Sequence, residues 1–330
     1  LLLRGRAAAG HGAFYFCRTN ISAAVPGLQE QLGFSKTQIG LILGALKLAY
    51  GAGQFLNGQL AERISPRRLL AIGMFGSALL NVVFGFGTAL YFLVFVWAAN
   101  GYCQALGWTP SLRVAANWIP VERRGKAIGL IGTGYQVAAA LTYLVAGWSA
   151  ERLGWRGALY VPAVVLAGAG VIMLLFLEES PSAAAGAPKA ARGPWHLAVT
   201  LTNPDLWLLA LALGLLNACR YGFLDWGLTH FKEMQGAGVG QAALNYAILP
   251  VGGIAGAYVA GWATDRFFAS RRAPVISMLL VALGGLKLAW YKIAVIFFAS
   301  NVLGGLGFAW LLRHWPIPPT SARCGAPWRP

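Results

Sequence analysis

Long apolar segments alternate with short polar connections along most of this chain. Runs of 18 or more mainly apolar residues recur, and this is the length that crosses a bilayer as an α-helix. The segments are too long for membrane-spanning β-strands and lack their polar–apolar alternation. The pattern predicts helices near 7–28, 38–61, 69–87, 90–113, 125–148, 157–177, 205–231, 241–263, 274–290 and 292–312. The expected fold class is therefore an all-α polytopic membrane protein.

Composition and charge support this interpretation. Of the 330 residues, 58% are hydrophobic and 11% are charged, whereas a soluble domain carries about 25% charged residues. The net charge of +16 is unevenly distributed, and 16 of the 26 basic residues fall in alternate connections. These are Arg4, Arg6, Arg63, Arg67, Arg68, Arg123, Arg124, Lys126, Lys189, Arg192, Arg266, Arg271, Arg272, Arg313, Arg323 and Arg329. The positive-inside rule then predicts a multi-pass protein of the inner membrane with a cytoplasmic N-terminus, in contact with the lipid bilayer and not with nucleic acid.

Two arginines lie near the centres of apolar segments, at equivalent places in two halves of the chain. Arg18 lies in FYFCRTNISAAVPGL, and Arg220 lies 202 residues later in LALGLLNACRYGFLDWG. A charge at the middle of a membrane helix costs about 2.5–3.5 kcal/mol on insertion scales, so it usually faces a cavity and has a function. Asp225 lies about 140° around the helix from Arg220, so we expect it to fix this helix near the outer interface and not to pair with Arg220. Two convergent cations predict a binding site for an anion.

A loop motif repeats at nearly the same offset. GQLAERISPRR begins at Gly58 and GWATDRFFASRR begins at Gly261, 203 residues later. An acidic residue beside arginines at a helix end forms charge-assisted contacts that can open and close with the bundle, and glycine allows close helix approach. The alternative is that each motif is only a charged turn between helices. The duplication favours a conformational role for Gly58, Glu62, Arg63, Gly261, Asp265 and Arg266.

Motifs of enzymes are missing from the sequence. The ten acidic residues lie mostly in loops, and we find no G-x-S-x-G, no Walker loop and no metal-ligand spacing. The four cysteines form no C-x-x-C pair. We therefore expect no enzymatic activity, no metal and no cofactor.

Longer strings resemble one group of transporters. The repeated loop motif resembles the signature loop of the major facilitator superfamily. FYFCRTN…VPGL, GFSKTQIGLILGALKLAYGAGQFLNGQLAER, GWTPSLRVAANWIPVERRGKAIGL and RYGFLDWGLTHFKE resemble its organophosphate:phosphate antiporters, over roughly residues 12–270. The resemblance implies two pseudo-symmetric six-helix bundles, with a substrate phosphate held by arginines on helices one and seven. Those positions match Arg18 and Arg220.

The resemblance also defines the expected domains. An N-terminal six-helix bundle covers 1–178, a cytoplasmic linker rich in Ala, Gly, Pro and Ser covers 179–204, a C-terminal bundle covers 205–312, and 313–330 is an irregular tail. The C-terminal bundle holds about four predicted helices, which gives about ten of twelve. The chain also begins without methionine. We therefore expect a truncated chain or a fragment.

Three positions depart from the antiporter pattern. Thr19 and Gln54 occupy places where these relatives carry lysine, and Tyr135 occupies the place of a histidine. Lys47, seven residues before Gln54 on the same helical face, is a candidate replacement cation, and Tyr50 shares that face. The candidate substrate-binding residues are Arg18, Arg220, Lys47, Tyr50, Gln54, Tyr135 and Gln136.

The expected function is secondary active transport by a monomer. An organic phosphate such as glycerol phosphate or a sugar phosphate would exchange for inorganic phosphate by alternating access around the arginine pair. Three alternatives remain open at this point. They are a membrane sensor for sugar phosphate, a transporter of a carboxylate such as a sugar acid, and a truncated protein that is inactive alone.

Overall fold

The structure is a computed structural model that describes residues 12–111, 121–177, 202, 204–236 and 238–267. These residues are almost entirely helical, which confirms the predicted all-α class. Within the described residues, a 3-10 turn, Phe14–Cys17, precedes nine helices with defined bounds: α1 Ile21–Leu32, α2 Lys36–Arg63, α3 Pro66–Phe86, α4 Leu90–Ala105, α5 Val121–Leu153, α6 Gly157–Phe176, α7 Pro204–Gln235, α8 Val239–Tyr246 and α9 Ile248–Phe267. The segments predicted near 274–290 and 292–312 lie outside the described residues.

Polar capping residues begin two of the long helices. Ser35 and Gln38 form a capping box at α2, in which each side chain accepts a hydrogen bond from the other residue's backbone N–H. Ser65 accepts a hydrogen bond from the Arg68 N–H at α3, and Pro66 occupies the first turn. The apolar pattern places the starts of α2 and α3 two or three residues too late, because the first turns of these helices contain polar residues.

Four helical segments of the described chain are long and apolar enough to cross a membrane. They are Lys36–Gly58, Pro66–Phe86, Leu90–Ser111 and Gly157–Phe176, and Val239–Ala255 is a shorter apolar segment. The predicted first helix is not continuous. Its backbone forms the 3-10 turn, then a turn at 18–20, and only then α1. The arginine predicted at the centre of a helix therefore lies where the helix is interrupted.

Two compact units divide the chain, one within Leu1–Leu197 and Arg220–Ala255 and the other within Ala198–Cys219 and Gly256–Pro330. In the first unit, α2 packs against α4, α3 packs against α4 and α6, and α5 packs against α6. Apart from residue 202, the described residues of the second unit belong to the first half of α7 and the last turns of α9. The predicted linker lies almost wholly outside the described residues, so the predicted domain boundaries stay predictions.

Helices α7 and α8 close one end of the first unit, where α1 ends and α2 begins. Helix α8 packs against α5 and α1. The Tyr143 hydroxyl donates a hydrogen bond to the Leu224 carbonyl at 3.2 Å, and the Tyr143 and Tyr246 rings meet edge to face at 5.0 Å. Leu228 and Ala243 are buried in the same core. We call this region the α1–α2 end.

Candidate functional site

Arg18 lies at the interrupted backbone before α1 and is almost completely buried, with 6% exposure. Its Nε donates a hydrogen bond to Gln104 Oε1 at 3.1 Å. The guanidinium carbon lies 4.4 Å from the centre of the Tyr50 ring and 5.0 Å from that of Tyr15. Its Nη2 is buried without a hydrogen-bond partner among the described residues. The guanidinium is thus fixed on one edge and covered by aromatic rings.

Side-chain amides satisfy the backbone that the interruption leaves open. The Cys17 carbonyl accepts hydrogen bonds from Asn100 Nδ2 at 3.0 Å and Asn81 Nδ2 at 3.4 Å. Asn20 donates to Asn81 Oδ1 at 2.8 Å and to the Ala158 carbonyl at 3.0 Å. Irregular backbone at membrane depth is stable only where protein groups or water replace the lost helical bonds. Asn81 and Asn100, both fully buried, supply that replacement, and Asn20 joins the turn to α3 and α6.

The second cation, Lys47, is already paired. Its ammonium forms an ion pair with Asp225 on α7 and also donates to the Leu43 carbonyl at 3.3 Å. It lies 5.0 Å from the centre of the Tyr221 ring. The expectation that Asp225 fixes α7 agrees with this contact, although its partner was not foreseen. Lys47 brings no net positive charge to the site while this pair holds.

Three of the other predicted residues contact neighbouring helices. Gln54 donates to the Ala105 carbonyl at 3.5 Å and accepts from Thr109 Oγ1 at 3.1 Å. The Tyr135 ring stacks on Tyr15 at 5.1 Å between ring centres, with 18° between planes. Gln136 lies against α9, since a methyl group built on Gly253 would come within 2.5 Å of its Nε2. The structure therefore places Tyr50 directly on Arg18 and Tyr135 next to it through the ring of Tyr15, and Gln54 bonds to the end of α4.

Arg220 lies in α7 directly before Tyr221, and its side chain is outside the described part of the structure. In the loop motifs, Gly58 is half-buried in α2 and Arg266 is exposed in the last turn of α9. The side chains of Glu62, Arg63 and Asp265 lie outside the described residues, as do the surroundings of Gly261. The proposed meeting of the two arginines and the conformational role of the motifs stay predictions.

Ion pairs also join α7 to the first two helices near the α1–α2 end. Lys232 pairs with Glu30, and Lys36 pairs with Glu233 at 2.9 Å. Together with Lys47 and Asp225, these are the salt bridges found among the described residues. None of the three involves Arg18.

Comparison with known proteins decides the family. The family model described as Major Facilitator Superfamily matches residues 7–321. The chain belongs to the Major Facilitator Superfamily.

Solved structures agree on the fold. A bacterial homologue of the human lysosomal transporter Spinster has a TM-score of 0.70 at 17% identity, covering 92% of this chain and 70% of that one. A D-xylose–proton symporter has a TM-score of 0.64 at 17% identity, covering 94% and 81%.

Curated relatives of this superfamily member are more similar in sequence. The glycerol-3-phosphate transporter of Bacillus subtilis is 30% identical over 321 residues, which cover 89% of this chain and 70% of the relative. The membrane sensor protein UhpC of Salmonella typhimurium is 29% identical, covering 89% and 70%. The phosphoglycerate transporter protein of the same species is 28% identical, covering 83% and 65%. The chain thus spans about two thirds of these relatives, which are transporters and a sensor, not enzymes.

The apolar pattern of the sequence did not predict the polar network that holds Arg18. Its members are Asn20, Ser77, Asn81, Asn100 and Gln104. A signal was present, because Ser77 and Asn81, and likewise Asn100 and Gln104, are polar pairs four residues apart inside apolar segments. Such pairs share one helix face and usually point at another helix or a cavity in this superfamily's membrane environment.

Proposed function

We propose that this protein exchanges an organic phosphate for inorganic phosphate by alternating access around Arg18 and Arg220. The observation that carries the proposal is the state of Arg18. Its guanidinium is buried, bonded to a neutral amide, and free of any carboxylate partner in the salt bridges of the described residues. An unpaired buried charge costs several kcal/mol, roughly, in a protein interior. An anion that neutralises it recovers part of that cost.

Arginine also matches the chemistry of phosphate. Its planar guanidinium stays charged and can present two parallel N–H donors to phosphate oxygens. The relatives named above as transporters of glycerol 3-phosphate and phosphoglycerate support an organic phosphate as the substrate class. We propose the same class here, with Arg220 on α7 providing the second donor set.

Tyr50 covers the guanidinium in the described conformation. Nη2 is shielded from solvent, so an anion reaches it only after a neighbouring side chain moves. The Tyr50 ring at 4.4 Å is half-buried, whereas Tyr15 is buried against Tyr135. A cation–π contact that excludes water is worth about 2 kcal/mol. We propose that Tyr50 shields the cation in the empty site and that the anion displaces it.

Closure of the α1–α2 end fits one half of a transport cycle. Three ion pairs and the packing of Tyr143 against α7 and α8 hold this end together. If the N-terminus is cytoplasmic in the inner membrane, as the basic residues predict, this end faces outward. The bundles would then rock apart here and together at the other end, with the anion lowering the repulsion between the facing arginines.

Equilibrium binding of phosphate to the full chain tests the proposal directly. Loss of one charge-assisted hydrogen bond costs about 1.5–3 kcal/mol, or about 10- to 150-fold in affinity. We expect Arg18→Lys to raise the Kd for inorganic phosphate by at least tenfold. Arg152→Lys is the matched control, because Arg152 is exposed at the end of α5 beside Trp148. Unchanged affinity in Arg18→Lys would refute the role of this arginine.

Counterflow in proteoliposomes then identifies the activity. Vesicles loaded with inorganic phosphate are challenged with glycerol phosphate, hexose phosphate and a hexuronate. Uptake of the phosphate esters supports the proposal, whereas uptake of the hexuronate alone assigns a carboxylate transporter. The UhpC relative at 29% identity favours a sensor as the second candidate. Binding of sugar phosphate without counterflow would assign that function.

A further inference from the structure

Gln104 accepts a hydrogen bond from the Nε of Arg18, while the Nη2 of Arg18 has no partner among the described residues. We propose that Gln104 is the positioning residue of the anion site, which it serves by fixing the guanidinium without neutralising it. The inference rests on the proposed function of Arg18 and adds a residue to it. Gln104 lies near the end of α4 and is fully buried.

The geometry of Gln104 leaves its side chain one orientation. Its Oε1 accepts from Arg18 Nε at 3.1 Å, while its Nε2 donates to the Phe14 carbonyl at 3.0 Å and to Ser77 Oγ at 2.7 Å. All three bonds are made within the usual range of distances. Rotating the amide by 180° would place its NH2 group against the Arg18 Nε–H, donor against donor. The acceptor is therefore directed at the guanidinium by its two other bonds.

Ser77 connects this amide to the backbone that carries Arg18. Ser77 Oγ donates to Asn100 Oδ1 at 2.6 Å, and Asn100 donates to the carbonyl of Cys17, the residue before Arg18. Gln104 also holds the Phe14 carbonyl at the start of the same turn. Side chain and backbone of Arg18 are thus fixed by one network from α3 and α4. Fixing a donor before the ligand arrives removes part of the ordering cost of binding.

The neutrality of the amide matters for an anion site. A carboxylate at this position would hold Nε more strongly, but it would cancel the charge that attracts the ligand. Lys47 is an example, because its charge is cancelled by the carboxylate of Asp225. Gln104 instead leaves the guanidinium with its full charge, and Nη2 has no partner among the residues that the structure describes. A neutral acceptor combines orientation with retained charge.

Two substitutions of Gln104 separate positioning from a structural role. Gln104→Glu keeps the shape and the acceptor, so Arg18 stays bonded and the protein should be the more stable of the two variants. Gln104→Met keeps the length but loses every hydrogen bond. We expect thermal stability to fall in the order wild type, Glu, Met. We expect the Kd for inorganic phosphate to rise in the order wild type, Met, Glu, with at least a tenfold rise for Glu.

Positioning is supported if the two variants rank in opposite orders, with Gln104→Met the less stable and Gln104→Glu the weaker in phosphate binding. If phosphate affinity follows stability, or if both variants bind like the wild type, Gln104 is only structural. Trp155→Phe serves as the control, because Trp155 is buried and donates a hydrogen bond to Gln31, outside the network that holds Arg18. It should lose stability while its phosphate Kd changes less than threefold. A tenfold change there would also overturn the special role of Gln104.

The two proposals fail in different ways. Wild-type affinity that is unaffected by Arg18→Lys counts against the proposed function, whatever Gln104 does. A tenfold loss in Arg18→Lys with no effect of either Gln104 variant counts against the positioning role alone. If the wild-type chain binds only the hexuronate, the same two rank orders are measured with that anion. The double variants must also agree, since Gln104→Met should change affinity less than threefold once Arg18 is lysine, which has no Nε–H edge to orient.

Discussion

The ion pair between Lys47 and Asp225 should control how readily the α1–α2 end opens. The Asp225 side chain is 11% exposed and that of Lys47 is 30% exposed. Removing one partner of a buried pair costs about 3–5 kcal/mol, and the lower figure applies because Lys47 retains some water. Asp225→Asn leaves an unpaired ammonium that is relieved when α7 separates from α2. A cost of about 3 kcal/mol shifts that equilibrium about 100-fold towards opening.

A cysteine at Thr229 reports the opening. Thr229 lies one turn after Asp225 in α7 and is 3% exposed, so Thr229→Cys should react slowly with a membrane-impermeant maleimide. In a chain whose native cysteines are replaced by alanine, we expect Asp225→Asn to accelerate labelling by up to about 100-fold, because labelling follows the open population. The double variant Lys47→Met with Asp225→Asn leaves no unpaired charge, and its labelling should return to within tenfold of the parent.

Lys36 and Glu233 supply the matched control on the same two helices. Their side chains are 62% and 47% exposed, and exposed pairs contribute about 0–1 kcal/mol. Lys36→Gln should therefore change labelling at residue 229 less than fivefold. The reasoning is refuted if Asp225→Asn labels within threefold of the parent, or if the double variant labels as fast as the single one.

Two glycines make further predictions, because each allows a close helix contact. A side chain at Gly147 would meet Ala243 on α8. Gly147→Val should therefore accelerate labelling at residue 229 and lower the thermal unfolding midpoint only slightly. A side chain at Gly101 would meet the backbone of Leu46 on α2, so Gly101→Val should cost about 1–3 kcal/mol of stability and lower that midpoint. Gly168→Ala meets nothing within 4 Å and should leave both measurements unchanged; a loss there equal to the others would contradict this explanation.

Hydrophobic length predicted most of the described helices, although the single helix expected near 241–263 is divided into α8 and α9. Segments such as 69–87 and 157–177 agree with α3 and α6 within three residues, because a membrane span needs about 20 apolar residues and polar caps limit it. The interrupted backbone at Arg18 was not predicted. The local sequence FYFCRTNIS reads as one apolar helix, and only Asn81 and Asn100, distant in sequence, show that its carbonyls have other partners.

Arg18, Lys47 and Tyr50 were selected by residue type, depth and helical face, and their roles in binding stay predictions. In the structure, Arg18 lies over the ring of Tyr50 and Lys47 lies over the ring of Tyr221. The pairing of Lys47 with Asp225 joins residues 178 positions apart. Helical periodicity predicts which face a residue occupies, but not which residue of another helix faces it. The structure supplies that information through the ion pairs that join α2 to α7.

The charges in the proposed site match a phosphate dianion once each cation is counted with its partner. The position after Arg18 adds no charge, since Thr19 is buried and its hydroxyl donates back to the Tyr15 carbonyl at 3.2 Å. Lys47 is cancelled by Asp225, whereas Gln104 leaves the charge of Arg18 intact. With Arg220 as its counterpart, the proposed site carries two positive charges. A dianionic phosphate ester would neutralise both, and a monocarboxylate would leave one uncompensated in the membrane, which is why we place the organic phosphate ahead of the sugar acid.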